Sequence, residues 1–308
     1  MENKIYDTII IGGGPAGLGA ALYAGRAKMS ALLLERAKFG GQAATTSEIE
    51  NYPGSIQDET APQIARMKQQ AENFGTEIVK DEIVKVELEG EVKTLTGKNG
   101  EYKARTIIIA TGANPRLAGF KNEVELRGKG VSYCATCDAD FFEELDVAVV
   151  GGGDSALDEA IYLTKFAEKV TVIHRRDEFR GNKSVQERVF ANDKIDILWD
   201  SVVEEAIDND GILGGLKIKN VKTNEISDLA VDGCFVFVGY NPTTKVFEGT
   251  SLKLSDRGEI ITDEDMRTNI EGVFAAGDVR KKSLRQVITA TSDGAIAATQ
   301  AEHYIANK

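Results

Sequence analysis

Cys134 and Cys137, in the stretch VSYCATCDADFF (131–142), are two of only three cysteines in 308 residues. A C-x-x-C pair of this kind can be a metal clip, a structural disulfide or a working redox couple. A structural zinc needs about four nitrogen or sulfur ligands, and the remaining candidates are Cys234, His174 and His303, with no second C-x-x-C and no C-x-x-H. Cys234 opens an apolar run, where a lone cysteine acts as a small hydrophobe. His174 belongs to a basic loop, and His303 lies near the C-terminus on a predicted helix. No metal is therefore expected. A disulfide between Cys134 and Cys137 closes a very short loop and contributes little through chain entropy. The redox reading remains: a C-x-x-C pair lowers a thiolate pKa, more so ahead of a helix, and exchanges disulfides through a mixed intermediate. Asp138 follows directly, placed either to move a proton to or from a departing thiolate or to cap a helix over ADFFEEL.

The elements that must position this pair are announced by a duplication. DTIIIGGGPAGLGAALYAGR starts at Asp7 and DVAVVGGGDSALDEAIYLTK at Asp146, the second following the first by 139 residues. In each, a β-branched apolar run enters three glycines and then an alanine-rich helical pattern, which predicts strand, turn and helix. Gly12-x-Gly14-x-x-Gly17 and Gly151-x-Gly153-x-x-Ala156 supply a tight turn, a bare backbone that a pyrophosphate can approach, and a small residue where helix meets strand. The anion then sits at the helix N-terminus.

The same offset aligns Glu35, 18 residues after Gly17, with His174, 18 residues after Ala156. A carboxylate there accepts hydrogen bonds from ribose hydroxyls and repels a 2'-phosphate, whereas Arg175, Arg176 and Arg180 in HRRDEFR form charge-assisted bonds to one. The first unit thus reads as a site for an unphosphorylated adenosine ribose and the second as a site for NADPH. A dithiol takes no hydride from NADPH in a controlled way. A flavin does, and the first unit offers FAD a place. The residues compose a chain from NADPH to FAD to Cys134–Cys137 to an external disulfide.

Both copies end on an apolar strand followed by Gly-x-Asn-Pro, in TIIIATGANP (106–115) and CFVFVGYNP (234–242). These breakers are read as domain crossings. Residues 115–242 then form a second domain inserted in a first made of 1–114 and 243–308, an α/β fold of two Rossmann-like units. The net charge of −12 offers no footprint for a phosphate backbone, so no nucleic-acid partner is expected. No stretch approaches the roughly 18 apolar residues of a spanning helix, and Glu2, Lys4 and Asp7 precede the first apolar run. A cytoplasmic chain without a membrane partner is expected.

The order GGGPAG (12–17), Gly40-Gly41-Gln42, IENYPG, ATGANPR, CATCD, GGGDSALDEA, HRRDEFR and GVFAAGDVR followed by RQVITA resembles the low-molecular-weight thioredoxin reductases of bacteria over nearly the whole chain. The resemblance implies an NADPH-dependent, FAD-containing homodimer that reduces thioredoxin or a thioredoxin-like protein. It implies that Cys134 attacks the partner disulfide, that Cys137 contacts the flavin, and that Asp138 is the acid catalyst. The implied FAD set is Gly12, Gly14, Ala16, Glu35, Gly41, Gln42, Asn51, Ala113, Asp278, Arg285, Gln286 and Val287. The implied NADPH set is Gly153, Asp154, Ser155, His174, Arg175, Arg176 and Arg180. A domain rotation about the Gly-x-Asn-Pro crossings is also implied. The chain departs from the family pattern at Ala139, where many members have glycine, at Asp158, which replaces a common glutamate, and at Thr291 and Ser292 near the expected flavin ring. Two other readings are a ferredoxin-dependent flavin reductase, expected to lack the second glycine motif and arginine loop, and a redox-sensing flavoprotein that does not turn over.

Overall fold

The computed structural model describes residues 4–45, 49, 51–55 and 60–308; Glu50 of the IENYPG stretch lies outside them. The chain divides into two compact units, residues 1–114 with 241–308, and residues 115–240. Each is an α/β unit built on a parallel sheet, as the duplicated glycine motifs require.

In the first unit the parallel strands run in the order Glu77–Lys80, Ala31–Glu35, Ile5–Ile11 and Glu101–Ile109, with Val273–Ala275 added along the C-terminal half of the last. Strands covered on both faces read as unbroken apolar runs, and alternate residues divide between two cores. Ile9, Ile11, Leu32, Leu34, Ile107 and Ile109 face one way; Ile10, Leu33 and Ile108 face the other, against alanines of the helices Pro15–Arg26 and Val287–Ala306. Those helices approach closely because both present small residues. A Cβ on Gly294 would lie 2.0 Å from the Ala16 carbonyl oxygen, and one on Gly19 2.7 Å from that of Thr291.

The second unit has five parallel strands, ordered Ile195–Leu198, Lys169–Ile173, Asp146–Val150, Gly233–Val236 and Val131–Ser132. An antiparallel meander, Ser201–Asn209, Ile212–Asn220 and Ile226–Leu229, precedes Gly233–Val236. In the first unit the meander strands Ile83–Glu87 and Lys93–Gly97 lead into Glu101–Ile109, which serves both as the last meander strand and as a member of the parallel sheet. The second unit uses two separate strands for those tasks. The outermost parallel strand also differs in origin, coming after the inserted unit in one case (273–275) and before the glycine motif in the other (131–132). The strand Val131–Ser132 leads directly into the turn that holds Cys134 and Cys137. Its C-terminal end and that of Asp146–Val150 lie on the same edge of one parallel sheet, where ligands bind in doubly wound folds.

The crossings Ala113–Pro115 and Tyr240–Pro242 pair as a two-stranded ladder. Among the described residues, no helix is long and apolar enough to cross a membrane.

Candidate active site

Val131 and Ser132 pair with Cys234 and Phe235 in the parallel sheet, and the chain then turns into a one-turn helix, Ala135–Asp138, with Cys134 at its N-cap. Cys134 and Cys137 are joined as a disulfide across this turn, with Cα atoms 5.3 Å apart. Ala135 and Ala139 anchor the turn in the core beside Val147, Val149 and Phe235. Alanine rather than glycine at 139 thus adds a methyl group to that packing. The Cys134 N–H donates to Ser132 Oγ at 3.1 Å, and Cys134 Sγ lies 3.4 Å from Thr136 Oγ1.

Asp138 occupies the N-cap position of the short helical turn Ala139–Phe142, yet its carboxylate makes no capping bond there. It accepts instead from Ser132 Oγ at 2.6 Å. The capping alternative for Asp138 therefore gives way to a bond within the redox turn. The third cysteine is removed from this chemistry: Cys234 is fully buried, and burial pushes its thiol well above the ordinary range. Among the described residues, no three His, Cys, Asp or Glu side chains converge as metal ligands would.

The first glycine motif is a backbone cradle. Gly12 adopts φ +112°, and a Cβ there would lie 2.3 Å from the Ala110 carbonyl oxygen; one on Gly17 would lie 1.8 Å from the carbonyl oxygen of Gly12. Neither position tolerates a side chain. Glu35 is buried at the end of its strand and accepts from the N–H groups of Gly13 at 2.6 Å and Ala37 at 2.8 Å. A carboxylate offers about four lone-pair sites, which leaves acceptor capacity for ribose hydroxyls. The Gly40 N–H donates to the Gly13 carbonyl at 2.9 Å, bringing Gly41 and Gln42 against the cradle. Gln42 donates to Asn114 Oδ1 at 2.6 Å, beside Ala113, and Asn51 donates to Gln286 Oε1 at 3.0 Å.

The sequence-expected FAD residues that lie far apart in the chain thus converge on one unit. Asp278 supplies the sharpest sign of fit. Its Oδ1 is buried with no hydrogen-bond partner among the described residues. Burial raises its pKa against the lowering influence of Lys282 and Arg285. A buried orphan acceptor of this kind is costly and suits a hydroxyl of a bound group. Its loop is held by Asp293, which accepts from the Gly277 N–H at 3.0 Å and pairs with Arg280 at 2.9 Å and Lys282 at 2.7 Å. Gln286 and Thr289 form a reciprocal capping box that starts the C-terminal helix at Val287. Thr291 bonds back to the Val287 carbonyl at 2.8 Å.

A raised carboxyl in the folded state means that folding takes up a proton between the ordinary carboxylate range and the raised value. Stability is lost as pH rises through that window. Replacing Asp278 by Asn accordingly raises the Tm of flavin-free protein at pH 7 and flattens its fall above pH 4, while flavin affinity drops. Calorimetry of apo-protein and flavin titration read the two opposite effects.

The second motif is held by the loop it serves. Gly151 adopts φ +154°, and a Cβ there would meet the Phe237 carbonyl oxygen at 2.6 Å. Gly153, the N-cap of helix Asp154–Leu163, has nothing within 4 Å of its Cβ position. Ala156 is buried beneath it, Ser155 is exposed, and Asp154 accepts from the Asn182 N–H at 2.6 Å. The Arg180 N–H donates to the Gly152 carbonyl at 2.8 Å. Arg175, Arg176 and Arg180 are exposed.

His174 differs from its neighbours: it is buried, its Nε2 lies 3.0 Å from the Glu178 carbonyl, and its ring contacts Phe179 and Trp199. Burial holds the imidazole below its ordinary pKa, so it is neutral at pH 7. A Cβ on Gly152 would overlap the His174 ring at 2.3 Å. His174 thus shapes the loop while the arginines carry its charge. Two residues escaped the sequence reading, Ser132 and Glu159. Glu159 lies on the helix after the second motif, where burial pushes its carboxyl up to about 6 and leaves Oε2 without a hydrogen-bond partner among the described residues.

Comparison with known proteins decides the family. The family model for pyridine nucleotide-disulphide oxidoreductases matches residues 6–294. The chain belongs to this family. A thioredoxin reductase of Peptoclostridium acidaminophilum is 57% identical over 99% of this chain and 98% of its own length, and one of Listeria monocytogenes is 48% identical over 99% and 95%. The crystal structure of thioredoxin reductase from Streptococcus pyogenes is 47% identical, with a TM-score of 0.94 over 100% of both chains. A pyridine nucleotide-disulphide oxidoreductase needs a reducible disulfide, and Cys134 and Cys137 are joined as one here.

The cradles make separable predictions. Gly14 has no atom nearer than 3.9 Å to its Cβ position and Gly153 has none within 4 Å, so alanine at either leaves the ligand-free fold intact. The added methyl group would stand where the glycine motifs are expected to let a pyrophosphate approach the backbone. Gly14→Ala is expected to lose flavin on purification. Gly153→Ala is expected to keep flavin and raise KM for NADPH roughly ten-fold or more, the scale of one displaced charge-assisted contact. Absorbance spectra and steady-state kinetics distinguish them.

Proposed function

We propose that this chain is an NADPH-dependent thioredoxin-disulfide reductase. The observation that carries the reading is the Cys134–Cys137 disulfide, set on the same sheet edge as a glycine cradle served by three exposed arginines. FAD belongs in the unit formed by residues 1–114 and the C-terminal segment, supported by the buried orphan oxygen of Asp278 and the amide-bound Glu35. Residues 115–240 receive NADPH. Bound in the first unit, FAD would supply the hydride acceptor that the dithiol lacks and return two electrons to the disulfide.

The protein's own residues then divide the remaining work. Gly151 and Gly153 admit the pyrophosphate; Arg175, Arg176 and Arg180 select the 2'-phosphate; Asp154, Ser155, Ala156 and His174 shape the floor and loop around it. Cys134 serves as the attacking thiolate toward the partner disulfide, Cys137 as the sulfur facing the flavin, and Asp138 as the acid that handles the proton. The physiological partner is thioredoxin or a thioredoxin-like protein, and the working unit is a cytoplasmic homodimer.

Anaerobic mixing of flavin-loaded protein with NADPH should bleach the flavin, and oxidised thioredoxin should restore its colour with continued NADPH consumption. If NADPH leaves the spectrum unchanged while reduced ferredoxin bleaches it, the chain is a ferredoxin-dependent reductase instead. If the flavin bleaches and no oxidised thioredoxin reoxidises it, the substrate assignment fails.

A further inference from the structure

Ser132 stands two residues before Cys134 and six before Asp138, and its hydroxyl touches both ends of the redox turn. Oγ lies 2.6 Å from Asp138 Oδ2 and 3.1 Å from the Cys134 backbone nitrogen, with the Cys134 carbonyl oxygen at 3.3 Å. A hydroxyl has one proton to give. The nearer acceptor, Asp138 Oδ2, takes it, and a lone pair of Oγ receives the Cys134 N–H. The side chain is buried, and its backbone is fixed in the parallel sheet opposite Phe235. The next residue is tied as well: Tyr133 donates its hydroxyl to Glu123 at 2.9 Å, and its carbonyl accepts from the Tyr240 hydroxyl at 3.2 Å.

These bonds matter most when the disulfide is open. In the oxidised state the S–S bond itself joins the two ends of the turn. Opening it with two electrons leaves two sulfur anions, and one proton brings the pair to a thiol and a thiolate. At that moment the covalent tie is gone, and the Asp138 carboxyl must still be in place to take up that proton from solvent and pass it to the sulfur. We propose that Ser132 is a positioning residue for this step: from the rigid sheet it holds the Asp138 carboxylate and the Cys134 amide in register, and it stabilises the ionised form of Asp138. The proposal rests on the acid role given to Asp138 above.

Removing a hydrogen bond to an ionised carboxylate raises its pKa. In flavin-loaded, reduced protein, Ser132→Ala should shift the Asp138 carboxyl titration upward by about one pH unit, the scale of one hydrogen bond to a charged group. Carbon-13 NMR of labelled aspartate reads that titration, with Asp138→Asn identifying the signal. The acidic limb of the kcat/KM profile for the protein disulfide should move by the same amount, and Ser132→Thr, which keeps the hydroxyl, should restore both. The proposal is overturned if the Asp138 titration is the same in Ser132→Ala and wild type, or if Ser132→Thr is displaced as far as Ser132→Ala. If wild-type protein reduces no protein disulfide, the functional reading fails, while the NMR titration still decides the role of Ser132.

Discussion

Replacing Cys134 by serine is expected to lower thioredoxin-dependent NADPH oxidation on the order of 10⁴-fold or more, the scale seen when a covalent nucleophile is lost, while NADPH still bleaches the flavin. The hydroxyl of serine forms no disulfide, so electrons that reach the flavin have no exit. Cys234 cannot substitute: it is fully buried within a strand, and its thiol is pushed far from the thiolate form. Cys234→Ala therefore serves as the control: it should keep turnover near wild type and lower Tm modestly, since it removes one buried sulfur from a packed sheet. Stopped-flow absorbance and a coupled thiol assay on both variants separate a reductase from a redox sensor. A sensor shows no turnover to lose.

The second large effect concerns the choice of nucleotide. Joint replacement of Arg175, Arg176 and Arg180 by alanine should raise KM for NADPH by about 10²- to 10³-fold, taking roughly ten-fold for each charge-assisted contact and discounting it for exposure. KM for NADH should change little, because NADH carries no 2'-phosphate for these groups to meet. The fold should survive, since all three side chains project from the surface. His174→Ala is a different experiment, because that ring packs on Gly152, Phe179 and the single tryptophan, Trp199. Its loss should affect the geometry of the loop and its stability together. Paired kinetics with the two nucleotides test the distinction.

Much of this was legible in the sequence because some positions admit few residues. Gly12 and Gly151 carry positive φ angles and press against carbonyl oxygens, so glycine at those points reports backbone geometry directly. The strands were legible because parallel strands buried on both faces leave no polar alternation. The acid-for-base exchange between Glu35 and His174 marks two positions expected to face ribose, but residue type alone could not say that His174 is buried. Its neutral state comes from Phe179, Trp199 and Gly152 closing around it, and those contacts arise only when the strand Lys169–Ile173 and its loop fold back together.

Ser132 was not legible for a related reason. A serine before a cysteine motif has no distinctive spacing. Its meaning appears when the two-residue strand Val131–Ser132 pairs with Cys234–Phe235 and the following turn brings Asp138 back onto it. The start of the C-terminal helix was similarly obscured. Val287, Ile288 and Thr289 are poor helix openers by propensity, and the Gln286–Thr289 capping box supplies what propensity lacks.

The most direct measurement is an anaerobic NADPH titration of flavin-loaded protein with thiol trapping at each step. Rapid alkylation and mass spectrometry then report Cys134, Cys137 and Cys234 separately. Cys134 and Cys137 should become alkylated together as NADPH is added and return to the disulfide when oxidised thioredoxin is supplied, while Cys234 stays unmodified in folded protein throughout, as electron flow from NADPH through the flavin to this pair requires. Full bleaching of the flavin with Cys134 and Cys137 still joined would contradict it.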